Sequence, residues 1–121
     1  MKYFAVSTLA CIFLLMTGCK PDGEISGTAT YTDYYDGCIY PAGGATLYKI
    51  EVLPNGSERS VSSVNADKNG KFCLPYVEDG NWRVRAVLYK EDISYEGLSE
   101  TVSVEKGKRE VSTSCHLHQI K

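Results

Sequence analysis

The sequence lacks several features that would point directly to a function. After Cys19 it shows no helical hydrophobic period and no second long apolar run, so neither a helical domain nor a transmembrane segment is predicted. It also lacks an excess of positive charge, with 13 basic against 15 acidic residues in 121. Because nucleic-acid-binding domains need a basic surface, we expect no nucleic-acid partner.

Catalytic motifs are missing as well. There is no G-x-S-x-G nucleophile motif, no H-E-x-x-H zinc motif and no phosphate-binding glycine loop. His116 and His118 are two residues apart, but the spacing offers no third metal ligand. Residues 67–70 resemble the start of a calcium loop, yet Tyr76 stands where its final acidic ligand is needed. We therefore predict a protein that is not an enzyme and uses no metal or other cofactor.

The N-terminal stretch carries a clear targeting signal. Lys2 precedes a nearly uninterrupted apolar run over residues 3–16. This run fits a secretory signal and is shorter than the roughly 20 residues that span a bilayer as a helix. It ends in Met-Thr-Gly-Cys at positions 16–19, which resembles the bacterial lipobox. The resemblance implies a diacylglyceryl group on the sulfur of Cys19 and removal of residues 1–18; the alternative is an ordinary signal peptide with a chance cysteine.

Cleavage before Cys19 would leave 103 residues with a net charge of −3, and the lipid would anchor the chain without spanning the membrane. Residues 19–23 then form a lipidated cysteine and a short tether. Lys20 followed by Asp22 and Glu24 resembles the surface-export signal of Bacteroidota lipoproteins. This implies an outer-membrane protein on the cell surface; the periplasmic face of the outer membrane is the alternative.

Apolar residues alternate with polar ones through the rest of the chain, which indicates an all-β fold. Glycine-containing turns separate seven predicted strands, at roughly 24–31, 45–53, 58–65, 70–74, 82–89, 96–104 and 109–117. The alternation slips within 45–53, which predicts a β-bulge near Tyr48. The polar segment 58–65 is typical of an edge strand. We expect a seven-stranded antiparallel β-sandwich.

The order of turns and core positions carries a family resemblance. Ile-Ser-Gly-Thr opens the domain at 25–28, Gly-Lys-Phe-Cys-Leu follows at 70–74, and Gly-Asn-Trp-Arg-Val stands at 80–84. This pattern resembles the carboxypeptidase regulatory-like (transthyretin-like) β-sandwich family over nearly all of residues 24–117, leaving 118–121 as a tail. Trp82 stands where the family usually has Tyr, and its phase with Val84 predicts a core position. The resemblance implies a non-catalytic domain.

Three cysteines remain in the predicted mature domain, because Cys11 leaves with the signal and Cys19 carries the lipid. Export to an oxidising compartment predicts one disulfide, for which three pairings are possible. Cys115 shares its strand phase with apolar neighbours and is expected in the core, whereas Cys73 is out of phase and Cys38 lies in a loop. Cys38–Cys73 is therefore the favoured pair.

The segment 31–41 is the best candidate for a binding surface. It contains four tyrosines and two aspartates, from which we select five contact candidates: Tyr31, Tyr34, Tyr35, Asp36 and Tyr40. Tyrosine rings stack on sugars and carboxylates accept hydrogen bonds from sugar hydroxyls, while tyrosine is also common in protein recognition loops. A third interpretation is that the rings cover the open end of the sandwich.

Together these features predict a lipid-anchored binding or assembly module at the outer membrane, with an envelope protein or a glycan as its ligand. The alternative is a structural or stabilising subunit of an envelope complex. Such a subunit would contact its partner by strand addition along the 58–65 edge.

Overall fold

The computed structural model describes residues 22–120, so the predicted signal peptide and the lipidation site at Cys19 lie outside the described residues. Within this range the chain forms strands and turns, and no helix there is long and apolar enough to cross a bilayer. The strands are β1 (Gly23–Thr32), β2 (Ile39–Pro41), β3 (Thr46–Val52), β4 (Glu58–Asn65), β5 (Lys71–Val77), β6 (Gly80–Lys90), β7 (Ile93–Leu98), β8 (Val102–Val104) and β9 (Glu110–Ile120). The predicted all-β class is confirmed.

The strands pair in the order β2-β1-β9-β7-β6-β3-β4, with β5 beside β1 and β8 beside β6. The long strand β9 connects two groups, because it pairs with β1 over residues 110–117 and with β7 over residues 118–120. One buried cluster collects side chains from both groups, including Leu74 of β5 and Val84 of β6. The molecule is thus a β-sandwich, and residues 118–120, expected as a tail, are part of a strand.

The pairing of β1 with β9 is parallel, although the sequence predicted an antiparallel sandwich. All other strand pairs in the described chain are antiparallel. Parallel neighbours cannot be joined by a tight turn and need a long connection. Here the connection is the rest of the domain, because β1 is the first described strand and β9 the last. Turn signals therefore carried no information about this pair.

The alternation of buried and exposed residues explains why these segments form strands. In β6, Trp82, Val84 and Ala86 are buried while the residues between them are only partly covered. Trp82 accordingly lies in the core as predicted, and its Nε1 donates to the carbonyl of Glu78 at 2.8 Å. Each strand places alternate side chains on opposite faces, so one face of β6 packs inward and the other faces outward.

Nine strands are found where seven were predicted. The short strand β2 lies within the loop-like segment after β1, and the predicted strand 96–104 is divided into β7 and β8. The division occurs at Ser99, which is buried and whose Oγ accepts from the amide of Val84 at 2.9 Å. A side-chain acceptor replaces a backbone one at this point, so the ladder is interrupted.

Two local predictions concern the β3–β4 region. The register of β3 against β4 shifts between Lys49 and Ile50, close to Tyr48, but the extra residue is Val61 of β4, and β3 pairs with β6 without a shift. The bulge expected in β3 therefore lies in its partner strand, whereas the predicted edge strand is confirmed. Strand β4 has exposed side chains at every position except Val64, and among the described strands it lies at one end of the order. It is therefore an edge strand.

Candidate ligand-binding loop

We call residues 31–41 the tyrosine loop; it runs from the end of β1 through β2 at one end of the sandwich. Asp33 fixes its backbone. The amide of Asp33 donates to the carbonyl of Cys38 at 2.8 Å, and its own carbonyl accepts from Gly37 at 3.0 Å. Gly37 has a φ of +72°, a conformation that favours glycine.

The carboxylate of Asp33 is buried and turned back onto the loop. Its Oδ2 accepts from the amides of Tyr35 at 2.9 Å and Asp36 at 3.1 Å. Such side-chain-to-backbone bonds hold a turn in one conformation. The loop is therefore built as an ordered structure, with Asp33 serving the backbone and not available to a ligand.

The five candidate residues divide into a core member and an exposed group. Tyr31 is buried, and its ring lies 5.0 Å from that of Tyr95 and 5.9 Å from that of Tyr40. Tyr34 is 54% exposed and Tyr35 65%, with their rings 5.1 Å apart in an edge-to-face arrangement. The interpretation that the rings cover the end of the sandwich is thus right for Tyr31, whereas Tyr34 and Tyr35 expose their rings to solvent.

Asp36 and Tyr40 are also exposed, and they are bound to each other. The Tyr40 hydroxyl donates to Oδ2 of Asp36, whose Oδ1 accepts from the amide of Cys38 at 2.8 Å. The hydrogen bond to the carboxylate raises the pKa of Tyr40 to about 12 and holds the pKa of Asp36 below its usual value. Near neutral pH this pair consists of a charged carboxylate and a neutral phenol.

Contacts from the rest of the domain support the loop. The amide of Tyr34 donates to the hydroxyl of Tyr95 at 3.0 Å, and the Tyr35 hydroxyl contacts the carbonyl of Glu91 at 3.4 Å. Glu91 and Asp92 form the β6–β7 turn with φ values of +53° and +66°. Two adjacent positive φ values are typical of a type I′ hairpin turn, in which glycine and asparagine are the usual residues. Because glycine is absent here, the sequence did not reveal this turn.

A shallow groove of about 480 Å³ adjoins the tyrosine loop. Tyr31 and Pro41 line it from the loop side, Lys68 lines it from the β4–β5 connection, and Lys90 lines it from the end of β6. Sequence reasoning missed both lysines, because they lie far from residues 31–41 along the chain and carry no motif of their own.

His116 lies beside the loop but is held in place by two threonines. Its Nδ1 is 2.7 Å from the hydroxyl of Thr30 and its Nε2 is 2.8 Å from that of Thr32. Burial, followed by the charge of nearby His118, lowers the pKa of His116. The two imidazole rings are 4.7 Å apart. Since both ring nitrogens of His116 already have partners, the His-x-His pair is a structural feature of β9.

The predicted Cys38–Cys73 disulfide is not formed, and all three cysteines of the described chain are free. The reason is distance along β1. Cys73 stands opposite Ser26, whereas Cys38 bonds to Asp33, seven residues further on. Seven strand residues span about 23 Å, and a disulfide requires Cα atoms within about 7 Å. Cys115 is buried, as its strand phase predicted.

No known protein-family profile matches this chain, and no curated protein does. Solved structures do resemble it. A Pseudomonas aeruginosa protein whose description proposes carbohydrate binding aligns over 79% of this chain and 88% of its own, with a TM-score of 0.54 and 11% identity. The backbone protein of a group B Streptococcus pilus aligns over 81% of this chain and 41% of its own, with a TM-score of 0.48 and 10% identity.

At such low identity these likenesses concern the fold alone. The chain is a β-sandwich, similar in architecture to the Pseudomonas protein. Membership of the carboxypeptidase regulatory-like family stays a prediction from the sequence.

Proposed function

We propose that this protein is a lipid-anchored envelope protein, non-catalytic, whose β-sandwich presents the tyrosine loop as a binding surface. The observation that carries the proposal is the exposure of Tyr34 and Tyr35 on a backbone that Asp33 holds in one conformation. Exposed rings on an ordered loop bind with little loss of conformational entropy, which is the usual reason for tyrosine in recognition loops.

The position of the loop fits the proposed anchor. Strand β1 begins at Gly23, four residues after Cys19, and ends at Thr32, where the tyrosine loop turns. Its ten residues span roughly 30 Å. A lipid on Cys19 would thus hold one end of the sandwich near the outer membrane and direct the tyrosine loop away from it. We propose the cell surface as the location and the periplasmic face as the alternative.

A glycan is the ligand class we favour for the loop. The faces of Tyr34 and Tyr35 can pack against sugar rings, and the neighbouring Lys68 and Lys90 can donate to hydroxyls. The description of the structurally similar Pseudomonas protein as carbohydrate-binding is in keeping with this class. A protein ligand of the envelope is the second possibility for the same surface.

Strand β4 supports the alternative function, that of a structural subunit. Its outer edge has no strand beside it within residues 22–120, and its side chains are exposed, including Val61. An unpaired edge can accept a strand from another chain through backbone hydrogen bonds.

A glycan array distinguishes the two functions. The full chain should bind a defined set of glycans, and the double variant Tyr34→Ala/Tyr35→Ala should lose at least about tenfold in affinity, the effect of removing stacking contacts. Tyr76→Ala is the matched control, because Tyr76 is 76% exposed but lies near the end of β5, which pairs with the start of β1, far from the tyrosine loop. Absence of glycan binding, together with a co-purifying envelope protein that depends on β4, would support the structural subunit instead.

A further inference from the structure

The outer face of the sheet formed by β3, β6, β7 and β9 contains a second groove, distinct from the tyrosine loop. One row across these strands is Thr46, Val87, Glu96 and His118, each in register with the next. The groove has a volume of about 490 Å³ and is lined among others by Thr46, Arg85, Val87, Tyr89, Ser94 and Glu96. We call it the Arg85 groove.

Arg85 is held at this groove from two sides. Its Nε donates to Oε2 of Glu96 at 2.7 Å, and its guanidinium carbon lies 5.7 Å from the centroid of the Tyr48 ring. Tyr48 and Arg85 are direct cross-strand partners, so this stacking follows from the register. The guanidinium is thus oriented before any ligand arrives.

The pair leaves hydrogen-bonding capacity unused. Among residues 22–120 the two Nη groups of Arg85 and the Oε1 atom of Glu96 have no hydrogen-bond partner. The side chains of Arg85 and Glu96 are 42% and 29% exposed, so a ligand can reach them. The groove therefore presents donors and an acceptor next to each other, with no net charge from the pair.

We propose that the Arg85 groove binds a neutral saccharide through two adjacent hydroxyl groups. One hydroxyl donates to Oε1 of Glu96, and the neighbouring hydroxyl accepts from an Nη group of Arg85. The 69%-exposed ring of Tyr89 and the side chain of Val87 offer an apolar surface to the sugar ring. This is the usual composition of a small-molecule site, with a few placed polar groups on an apolar base.

The charges in the groove favour a neutral sugar over an acidic one. The positive charge of Arg85 is already balanced by Glu96, whose own negative charge repels a uronate or a phosphate. The hydrogen bond from Arg85 lowers the pKa of Glu96, so this negative charge persists in mildly acid solution. Two further rows flank the row that begins with Thr46: one contains Tyr48 and Arg85, and the other contains Tyr89 and Ser94. Together the three rows cover roughly 13 Å along the strands, which suits a short oligosaccharide.

This site goes beyond the proposed function of the tyrosine loop, because the side chains proposed to contact its ligand are different ones. The two grooves meet at Gly44 and Leu88, which line both. A long glycan could follow both surfaces, but neither site needs the other.

The test is a nuclear magnetic resonance titration of the ¹⁵N-labelled full chain in a detergent without sugar groups. Neutral hexose oligosaccharides (maltohexaose, cellohexaose and mannohexaose) are the probes, and oligogalacturonate is the acidic comparison. At least one neutral probe should cause saturable shifts of the Arg85 Nε–H signal and of the Val87 and Glu96 amides. The acidic probe should bind at least about tenfold more weakly.

Variants separate this site from the tyrosine loop. Arg85→Gln and Glu96→Gln should each weaken binding at least about tenfold, whereas Tyr34→Ala/Tyr35→Ala should leave the shifts at Arg85 unchanged. Chemical-shift changes confined to the tyrosine loop would overturn the proposal that the Arg85 groove binds a saccharide, and would leave the proposed function of the loop unaffected. Failure of all three neutral probes to bind, or preference for the acidic one, would also overturn it. Mapping on the unaltered chain keeps the result independent of how well the variants fold.

Discussion

At the scale of single residues, Lys49 is the group that the sequence least anticipated. It lies on β3 and is buried, and its ammonium donates to the carbonyls of Pro75 at 3.1 Å and Tyr76 at 2.9 Å. It also lies 5.5 Å from the centroid of the Trp82 ring. A lysine in an alternating strand is expected to face solvent; here Lys49 shares the inward face of β3 with buried Leu47, and the carbonyls of β5 receive the charge.

We predict that Lys49→Met will destabilise the protein by about 1–3 kcal/mol, because the apolar stem is kept while charge-assisted hydrogen bonds are lost. Urea denaturation measures the change. Burial lowers the pKa of Lys49 in the folded state, so below the ordinary lysine pKa the unfolded state binds more protons at this position. The free energy of unfolding of the wild type should therefore rise as the pH approaches the ordinary lysine pKa. The variant should lack this rise. Lys71→Met, at an exposed position, is the control; equal effects at both positions would show that Lys49 has no special role.

The Asp36–Tyr40 pair gives a second residue-scale prediction. The Tyr40 ring should titrate with a pKa of about 12, and Asp36→Asn should return it toward the ordinary value of about 10. Because the phenol pKa is raised by folding, the stabilising contribution is complete below about 10 and is lost as pH rises through about 12. Nuclear magnetic resonance of the labelled ring follows the titration. A wild-type value near 10 would contradict the hydrogen bond.

The three cysteine thiols give the third prediction at the residue scale. In the chain from Lys20 onward, Cys38 and Cys73 should both react with a thiol reagent in the native state, because both are exposed. Cys73 should be the slower of the two, because partial burial and the nearby Glu24 raise its pKa. Cys115 should react only after denaturation, since burial raises its pKa to about 11. Native counting should give two thiols and denatured counting three. One reactive thiol in both the native and the denatured count, together with a mass lower by two hydrogen atoms, would show that a disulfide forms.

At the scale of elements, the sequence predicted those features that follow from local patterns of apolar and polar residues. Alternation and turn signals located every described strand except β2, with β7 and β8 joined in one segment, and uniform polarity identified β4 as an edge. The phase slip in β3 pointed to the right strand pair, although the extra residue of the bulge lies in β4. The misses have physical reasons. The Glu91–Asp92 turn adopts positive φ without glycine, Ser99 breaks a strand through a side-chain hydrogen bond, and the parallel pairing of β1 with β9 involves no turn at all.

Gly70 supplies a prediction at this scale. It ends the β4–β5 turn with a φ of +79°, and a Cβ there would lie 2.3 Å from the carbonyl oxygen of Ala29. Gly56, in the β3–β4 turn, has a φ of +88° but nothing within 4 Å of a Cβ. Gly56→Ala should cost about 1 kcal/mol, for conformation alone. Gly70→Ala should cost about 1–3 kcal/mol more, for the forced displacement of β1.

Thermal unfolding of both alanine variants measures this difference. Gly70→Ala should have the lower midpoint because the clash is with backbone, which cannot rotate away. Equal midpoints would mean that the β4–β5 turn does not pack on β1.

At the scale of the whole molecule, the candidate site was only partly foreseen. The segment 31–41 was selected by composition, and four of its five candidates are exposed. Its support was not foreseeable, since Tyr95, Glu91, Lys68 and Lys90 reach the loop only through the fold. The Arg85 groove depends wholly on the register of three strand pairs, which local patterns leave undetermined.

The proposed arrangement is simple: a lipid at one end of β1 holds the sandwich, and the tyrosine loop stands at the other end. Both binding proposals depend on this proposed anchor, because it would determine how the tyrosine loop and the Arg85 groove are oriented relative to the membrane. The anchor rests on the sequence pattern at positions 16–19 and on the direction of β1.

The most direct measurement is metabolic labelling with radioactive palmitate, followed by immunoprecipitation of the full chain from a bacterial host that processes lipoproteins. The account predicts label in the wild type and in Cys38→Ser, and none in Cys19→Ser. An unlabelled wild-type chain, or label that persists in Cys19→Ser, would contradict it.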